Sequence, residues 1–400
     1  MGLTRPALGP EAAPKPAAAP KPDAAPQREG APQREAAPKA DAAPKREAAA
    51  EPGPAAEATP AAEPEPRRAP GKPAPAEVEE APRRPVLGPP PGPIQPTDPF
   101  AVAGRKAMWL HVSRMLERED ALRDPKQTDA VKRYRVATRR LRAALRVFRD
   151  AYPNRETKPL RRSLAELAGA LGRVRDLDVR LEEVDHWAEG RGDVSVGALA
   201  PLRAALASQR RAAAAALHRK LETKGHQRLL ADLVEFVTDV DSARGLDDGV
   251  PDRMTRDRAA SAIWTRYEEV RAYVSVVRWA DLPTLHGLRV EAKRLRYTIE
   301  FLGTVLGPER EWLVERLVAL QDHLGALNDA TLAATAVRAF LSEQHAALAP
   351  DERAATITYL ADRERERNRL RRSVGRAWRP VVSTTFGRRL GRAVVVRPTA

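Results

Sequence analysis

The sequence has no cysteine, and only 18 of its 400 residues are aromatic. Without cysteine there is no disulfide framework, no thiolate metal site and no cysteine nucleophile. No run of 18 apolar residues occurs, so no segment is predicted to span a bilayer. The N-terminus, MGLTRPALGPEAAPKP, lacks the apolar core of a signal peptide, and Pro6 stands where a myristoylation motif has Ser or Thr. We therefore expect a soluble cytoplasmic protein.

Proline is concentrated in the first quarter of the chain. Residues 1–100 hold 26 of the 36 prolines, and the first aromatic residue is Phe100. Such a segment cannot bury enough apolar surface to offset the entropy lost on ordering. We predict a disordered Pro/Ala-rich tail over 1–98, a helical domain over 99–380 and a C-terminal tail over 381–400. The first tail is expected to be a spacer, and a tether to a granule, nucleoid or partner is the alternative.

Positive charge is concentrated in the part that is expected to fold. Residues 1–100 carry 13 basic and 14 acidic side chains, whereas residues 101–400 carry 56 basic and 40 acidic ones. A basic excess of this size indicates a polyanionic partner.

The periodicity after Phe100 is helical. Apolar residues recur at intervals of three and four, as in Leu164, Leu167, Leu171 and Val174, and no alternating pattern competes with this. The predicted fold class is all-α. We predict helices over 101–122, 128–151, 157–189, 196–240 with a break at Gly225, 255–279, 282–305, 309–346 and 350–378.

The helical part contains an internal repeat. Residues 135–143 read RVATRRLRA and residues 289–297 read RVEAKRLRY, at an offset of 154. A second pair, LGRVRDLDV from Leu171 and LGALNDATL from Leu324, follows at an offset of 153. We predict a tandem duplication of a four-helix unit, with a pseudo-twofold that brings the two copies to one groove. The predicted halves are residues 99–240 and 253–380, joined near 241–252.

The repeated segment places basic residues on one helix face, because a spacing of 3, 4, 3, 4 keeps them within roughly 80° of arc. The predicted site residues are Lys132, Arg135, Arg139, Arg142 and Arg146 in the first copy and His286, Arg289, Lys293 and Arg296 in the second. Glu300 replaces the equivalent of Arg146 and ends the second stripe. The apolar faces comprise Tyr134, Thr138, Leu141, Leu145 and Phe148, and then Leu288, Ala292, Leu295, Ile299 and Leu302.

A stripe of like charges destabilises its own helix, so it requires an anion nearby. Carboxylates of adjacent helices, Asp176, Asp178 or Asp329, are one source, and a ligand is the other. Guanidinium and ammonium groups suit a chain of phosphates, whereas single-stranded nucleic acid is usually also held by aromatic stacking, which the stripes do not offer. We predict binding of inorganic polyphosphate. A basic nucleoid- or RNA-associated protein, and a granule scaffold recruited through the tail, are the alternatives.

The segments VKRYRVATRRLRAALRVF and LHGLRVEAKRLRYTIEFL, each followed by an LG-x-x-(R/N)D element, resemble the two halves of a CHAD domain, the conserved histidine α-helical domain. The resemblance covers roughly residues 100–380. It implies two four-helix bundles around a basic cavity, polyphosphate binding by the residues of the stripes, and association with polyphosphate or polyhydroxyalkanoate granules.

One position departs from the family pattern. The family histidine precedes the arginine by three residues; His286 fills this place in the second copy, but Lys132 fills it in the first. Lysine keeps its positive charge, so we expect binding to survive, and we expect no pH response that depends on two histidines.

No pattern indicates an enzyme. Some CHAD proteins are fused to a triphosphate tunnel domain with an ExExK motif, but the nearest string here is Glu63, Glu65 and Arg67 in the proline-rich tail. There is no P-loop, GxSxG or HExxH motif, and no third ligand accompanies His218 and His226. We predict no catalysis, no metal and no cofactor.

A further set of arginines occurs near the C-terminus at helical spacing. Interleaved Glu364 and Glu366 favour a solvated face for it, and the rim of the groove is the alternative. These secondary candidates are Arg365, Arg369, Arg372 and Arg376.

Overall fold

A computed structural model describes residues 85–124, 129–191, 196–238 and 254–395. It confirms the all-α prediction, and one isolated β-bridge joins Pro99 to Met254. Residues 1–84, which hold most of the predicted tail, and the predicted junction at 241–252 lie outside the described residues. In chain order the α-helices are α1 (Phe100–Leu116), α2 (Glu119–Arg123), α3 (Ala130–Val147), α4 (Asn154–Glu189), α5 (Ala200–Leu221), α6 (Lys224–Thr238), α7 (Thr255–Arg271), α8 (Leu282–Phe301), α9 (Glu309–Gln344), α10 (Pro350–Val382) and α11 (Thr384–Val394).

Helices α3 and α8 carry the two copies of the repeated segment. The apolar face predicted for each is buried throughout, from Tyr134 to Phe148 on the first and from Leu288 to Leu302 on the second. Burial of one face of each helix fixes its rotation about its own axis, which sends the basic stripe to the opposite side.

The helices that carry the repeated segment share one hydrophobic core. Helix α3 packs on α1 and α4, α8 packs on α7 and α9, and α3 and α8 pack on each other. One large hydrophobic core contains residues from both groups, and a smaller one lies where the ends of α4 and α9 meet α5 and α10. Helices α4 and α9, which carry the second repeated element, both span 36 residues. The duplication and the pseudo-twofold remain predictions.

Two helix boundaries differ from the prediction for local reasons. The helix expected over 101–122 is interrupted at residues 117 and 118, between α1 and α2. The break expected at Gly225 falls at Thr223, whose hydroxyl accepts a hydrogen bond from the His226 N–H at 3.2 Å and so caps α6. A threonine cap, and not the flexibility of glycine, sets this break.

The segment 85–98, assigned to the tail by composition, lies against the helices. Leu87 and Ile94 pack on the large core. The Lys106 ammonium lies 2.9 Å from the Asp98 carboxylate, and the Thr255 N–H donates to the Asp98 carbonyl at 2.8 Å. The predicted end of the tail, residue 98, therefore lies too far toward the C-terminus. Leu87 and Ile94 are isolated apolar residues in a proline-rich segment, so the composition of the segment does not reveal that it packs on the helices.

The C-terminal boundary predicted at residue 380 is also wrong. Helix α10 continues to Val382 and α11 follows directly. The Ser383 hydroxyl accepts from the Phe386 N–H at 3.1 Å, and Phe386 and Leu390, one turn apart, are completely buried. The capping serine and these two apolar residues make 384–394 a packed helix and not a tail.

Candidate anion-binding site

A cavity of about 570 Å³ opens where α8 and α3 face α4, α9 and α10. Four of the nine predicted site residues line it: Arg139 from α3, and Arg289, Lys293 and Arg296 from α8. Arg363 of α10 adds a fifth cation that the sequence prediction missed. The two repeated helices thus do bring part of their basic stripes to one cavity.

Lys293 is surrounded by arginine side chains. Burial, followed by the charges of Arg289 and Arg139, lowers the pKa of Lys293 from 10.5 to about 7. Arg135 and Arg296 act on Lys293 in the same direction. An ammonium group in this position is destabilised unless an anion joins it.

The cations of this cluster have few acceptors. Among the described residues, no carboxylate or other acceptor bonds to Lys293, Arg139 or Arg289. The Nε atoms of Arg139, Arg289 and Arg296 are buried without a hydrogen-bond partner. Burial also lowers the pKa of Arg139, with smaller contributions from neighbouring arginines. Unsatisfied buried donors are costly, so this cluster favours a ligand with several acceptor oxygens.

Protein carboxylates neutralise part of each stripe. Arg135 Nη2 lies 3.7 Å from Asp176 Oδ1, which is one of the pairings that the sequence left open. Asp178 binds Arg210 of α5 instead, at 2.9 Å. These two pairs leave the cavity-lining cations untouched.

Glu300, at the end of the α8 stripe, forms ion pairs with two arginines. Its carboxylate lies 3.3 Å from Arg296 Nη1 and 3.1 Å from Arg140 Nη2. Arg296 therefore lines the cavity with one ion pair already formed, whereas Lys293 and Arg289 have no ion pair among the described residues. The glutamate that ends the stripe in the sequence is a bridge between α8 and α3.

The opposite wall of the cavity is acidic, which the sequence analysis did not predict. It carries Glu183 of α4, Asp322 and Asp329 of α9, and Glu366 of α10. Burial, followed by the charge of Asp329, raises the pKa of Glu183. Asp329 and Asp176 occupy the same position of the second repeated element, so the repeat itself was the available signal for this wall.

The other predicted residues of the stripes lie away from the cavity. Lys132 and His286 are exposed near the first turns of their helices. Arg142 does not line the cavity, and Arg146 lines a separate pocket of about 320 Å³ between α3, α7 and α8. Burial and the charge of Arg294 lower the pKa of Arg146 there. On α3 the basic stripe extends beyond the cavity-lining Arg139 in both directions, toward Lys132 and toward Arg146.

The secondary candidates near the C-terminus do not line this cavity. Arg365 forms an ion pair with Asp362, and Arg369 Nη2 lies 3.7 Å from Glu366 Oε1. Arg372 lines a different groove, and Arg376 is exposed. Arg363, two residues before the first of them, points inward instead because it lies on another face of α10.

Histidines do not form a cluster in the described chain. His226 is buried, with Nε2 3.3 Å from Glu119 Oε1. Over the ranges that the structure covers, no three His, Asp or Glu side chains are arranged to hold a metal ion. None of the helices in those ranges is long and apolar enough to cross a bilayer.

Comparison with known proteins agrees with the all-α fold. The CHAD domain profile matches residues 106–338. The CHAD domain of the plant Ricinus communis superposes with a TM-score of 0.55 at 20% identity, covering 79% of this chain and 98% of that one. PptA from Streptomyces chartreusis gives a TM-score of 0.55 at 20% identity, covering 70% of this chain and 99% of that one. No curated protein matches the sequence. The chain belongs to the CHAD domain family.

Proposed function

We propose that this protein binds inorganic polyphosphate, without chemical conversion, along the α3 and α8 wall of the cavity. The observation that carries the proposal is the position of Lys293 among arginines, with no acceptor bonded to it in the described chain. A phosphate chain supplies closely spaced anionic oxygens, which guanidinium groups bind two at a time and an ammonium group binds as a point charge.

The lining of the cavity favours a bare phosphate chain over nucleic acid. Of the described residues that line it none is aromatic, so these residues offer bases no stacking platform. A wide polyanion would also come close to the acidic wall opposite and be repelled by it, because only the α3 and α8 side of the cavity attracts anions. A thin linear anion satisfies both conditions.

A non-catalytic role rests on the same lining. Among the described residues that line the cavity there is no hydroxyl or imidazole group, and the carboxylates that could attack phosphorus belong to α4, α9 and α10, not to the α3 and α8 wall along which the phosphate chain is proposed to lie. We expect polyphosphate of defined length to be recovered at its original length after prolonged incubation with the protein and Mg²⁺. Gel electrophoresis would measure this, and shortening of the chains would overturn this part of the proposal.

The binding test is a titration of long-chain polyphosphate into wild-type protein and the Arg139→Glu/Lys293→Glu double variant. Charge-assisted hydrogen bonds contribute about 1.5–3 kcal/mol each, so loss of two should weaken binding by about 100-fold or more. The matched control is Arg211→Glu/Arg219→Glu, which reverses two exposed arginines of α5 that have no ion pair among the described residues, and it changes the net charge equally. Equal Kd values for the two double variants would sink the proposal.

Competition separates the phosphate chain from nucleic acid. Salt sensitivity cannot do so, because both polyanions share it. If duplex DNA or RNA at equal phosphate equivalents displaced bound polyphosphate readily, the nucleic-acid alternative would be correct.

We also propose that the protein resides on polyphosphate or storage granules through this cavity. A cavity of about 570 Å³ holds only a short stretch of a long polymer, so the remainder can stay in the granule. Imaging of tagged protein tests this: the Arg139→Glu/Lys293→Glu variant should leave the granules. Deletion of residues 2–84 leaves the docked segment 85–98 in place. It tests separately whether residues 2–84 recruit the protein to the granules.

A further inference from the structure

The turn between α7 and α8 exposes large apolar side chains. Val274, Val276 and Trp279 are 53%, 44% and 78% exposed, and Trp279 is among the most exposed large apolar residues that the structure describes. The periodicity predicts a helix over 255–279, whereas α7 ends at Arg271 and the chain turns. The early end of the helix is what projects these side chains into solvent.

Tyr273 holds this turn in place. Its carbonyl accepts hydrogen bonds from the N–H groups of Val276, at 3.1 Å, and Val277, at 2.8 Å. Its hydroxyl lies against Gly287 of α8, only 2.6 Å from the position that a Cβ would take there. The apolar tip is therefore built on an anchored turn.

A basic groove of about 780 Å³ lies beside the turn. Its floor is apolar, with Leu285 and Trp378 among the residues that form it. Four arginines line it, and no acidic residue does: Arg278, Arg371, Arg372 and Arg379. The nearest carboxylate in sequence, that of Asp281, is occupied in capping α8 through the Thr284 N–H at 2.8 Å.

Two of these arginines already contact the turn. The Arg371 guanidinium donates to the Ala280 carbonyl at 3.3 Å, which joins α10 to the turn. The Arg278 guanidinium lies over the Trp279 ring, 5.1 Å from its centroid. The exposed apolar tip and the arginines thus form one continuous surface, to which Arg372 of the secondary candidates belongs.

We infer that this surface docks the protein on an anionic phospholipid bilayer. Tryptophan is the residue that prefers the boundary between headgroups and acyl chains, and the valines can enter the same layer. The arginines then contact lipid phosphates, and each basic side chain near such a surface raises the affinity for the membrane about fivefold. This inference is independent of polyphosphate binding, since none of these residues lines the polyphosphate cavity.

Charge and shape favour a bilayer over a nucleic acid. The exposed tip combines one aromatic ring with two valines, and aliphatic side chains do not stack on bases. A bilayer, in contrast, rewards burial of every apolar side chain while it binds the arginines around them.

The experiment is co-sedimentation of the full chain with vesicles of phosphatidylcholine alone or with 30% phosphatidylglycerol. We expect binding only to the anionic vesicles. The Arg372→Glu/Arg379→Glu variant should lose about 25-fold or more of its partition coefficient, since two favourable charges are reversed. Val274→Ser/Val276→Ser/Trp279→Ser should lose on the order of tenfold, because less apolar surface is buried.

Matched controls separate this surface from general charge and exposure. The Arg211→Glu/Arg219→Glu variant has the same net charge as the first variant, and Ile357→Ser removes an apolar side chain that is 48% exposed elsewhere on α10. Both should bind like wild type, as should Arg139→Glu/Lys293→Glu. Equal losses for variants and controls, equal binding to both vesicle types, or binding of DNA in place of vesicles would overturn the inference. Circular dichroism confirms that each variant is folded.

Discussion

Helices α3 and α8 carry the same repeated motif at an offset of 154 residues, but they contribute differently to the cavity. Helix α8 supplies three of its cations, Arg289, Lys293 and Arg296, whereas α3 supplies Arg139. The equivalents of Arg289 and Arg296 on α3 are Arg135, which pairs with Asp176, and Arg142, which lies outside the lining. A repeated motif thus guarantees a repeated helix face but not a repeated environment.

The difference comes from the elements packed around each helix. The cavity is closed by α9 and α10, α9 packs directly on α8, and Glu300 pairs with Arg296. Arg146, which occupies the equivalent of the Glu300 position, faces α7 and another pocket. The comparison predicts that equivalent substitutions on the two helices will differ in effect.

The largest difference is expected between matched double variants. Arg289→Gln/Arg296→Gln should weaken polyphosphate binding by about 100-fold, because two charge-assisted contacts are lost. The equivalent Arg135→Gln/Arg142→Gln should cost about fivefold, since one partner is already paired and the other is outside the cavity. Isothermal titration calorimetry measures both, and equal losses would show that the two copies contribute symmetrically.

The second effect concerns pH and singles out Lys293 from its α3 equivalent, Arg139. With a pKa of about 7 in the free protein, Lys293 is largely protonated at pH 6 and largely neutral at pH 8. A polyanion binds the protonated form, so affinity should fall about tenfold from pH 6 to pH 8. Lys293→Arg keeps its charge and should flatten this dependence. A wild-type Kd that does not change with pH would contradict the prediction.

The same depressed pKa has the opposite consequence for folding. The unfolded chain holds the Lys293 proton up to about pH 10, whereas the folded chain releases it near pH 7. Lys293 therefore destabilises the free fold below pH 7, and this penalty disappears as pH rises toward 10. We expect Lys293→Met to raise the Tm at pH 6 more than at pH 9, as measured by calorimetry.

A smaller effect is expected from Glu300→Gln, which makes the α8 stripe more like that of α3. Removal of the carboxylate charge frees Arg296 for the ligand, so polyphosphate should bind about threefold tighter. Arg140 loses its ion pair at the same time, and the Tm should fall. Weaker binding would mean that Glu300 acts mainly by orienting Arg296.

The smallest effects are expected at the position that departs from the family pattern. Lys132 and His286 are both exposed and lie outside the cavity lining. Lys132→Ala and His286→Ala should each change the Kd by less than about twofold, since exposed charges are strongly screened. A larger loss for His286→Ala alone would show that the ligand extends beyond the N-terminal end of α8.

The sequence was sufficient to predict whatever depends on periodicity. It predicted the helical class and the buried faces from Tyr134 to Phe148 and from Leu288 to Leu302. Four of its nine predicted site residues line the cavity, and the other five lie elsewhere. It did not predict Arg363 or the acidic wall, because these come from other helices whose faces meet only in three dimensions. Residues 85–98 and 381–394 were assigned to tails because each segment has only a few isolated apolar residues. Those few residues are nevertheless enough to dock each segment on the helices.

The acidic wall has a consequence for how fast a ligand arrives. Five cations and four carboxylates line the cavity, a formal net charge of only +1, so most of their fields cancel at a distance. A phosphate within a few ångströms of the α3 and α8 side is attracted mainly by the cations of that side, and this attraction is strong. Capture of a distant polyanion must therefore depend on arginines of the outer surface, while the duration of the complex depends on the cavity. Association and dissociation rates are then set by separate groups of residues and can change independently.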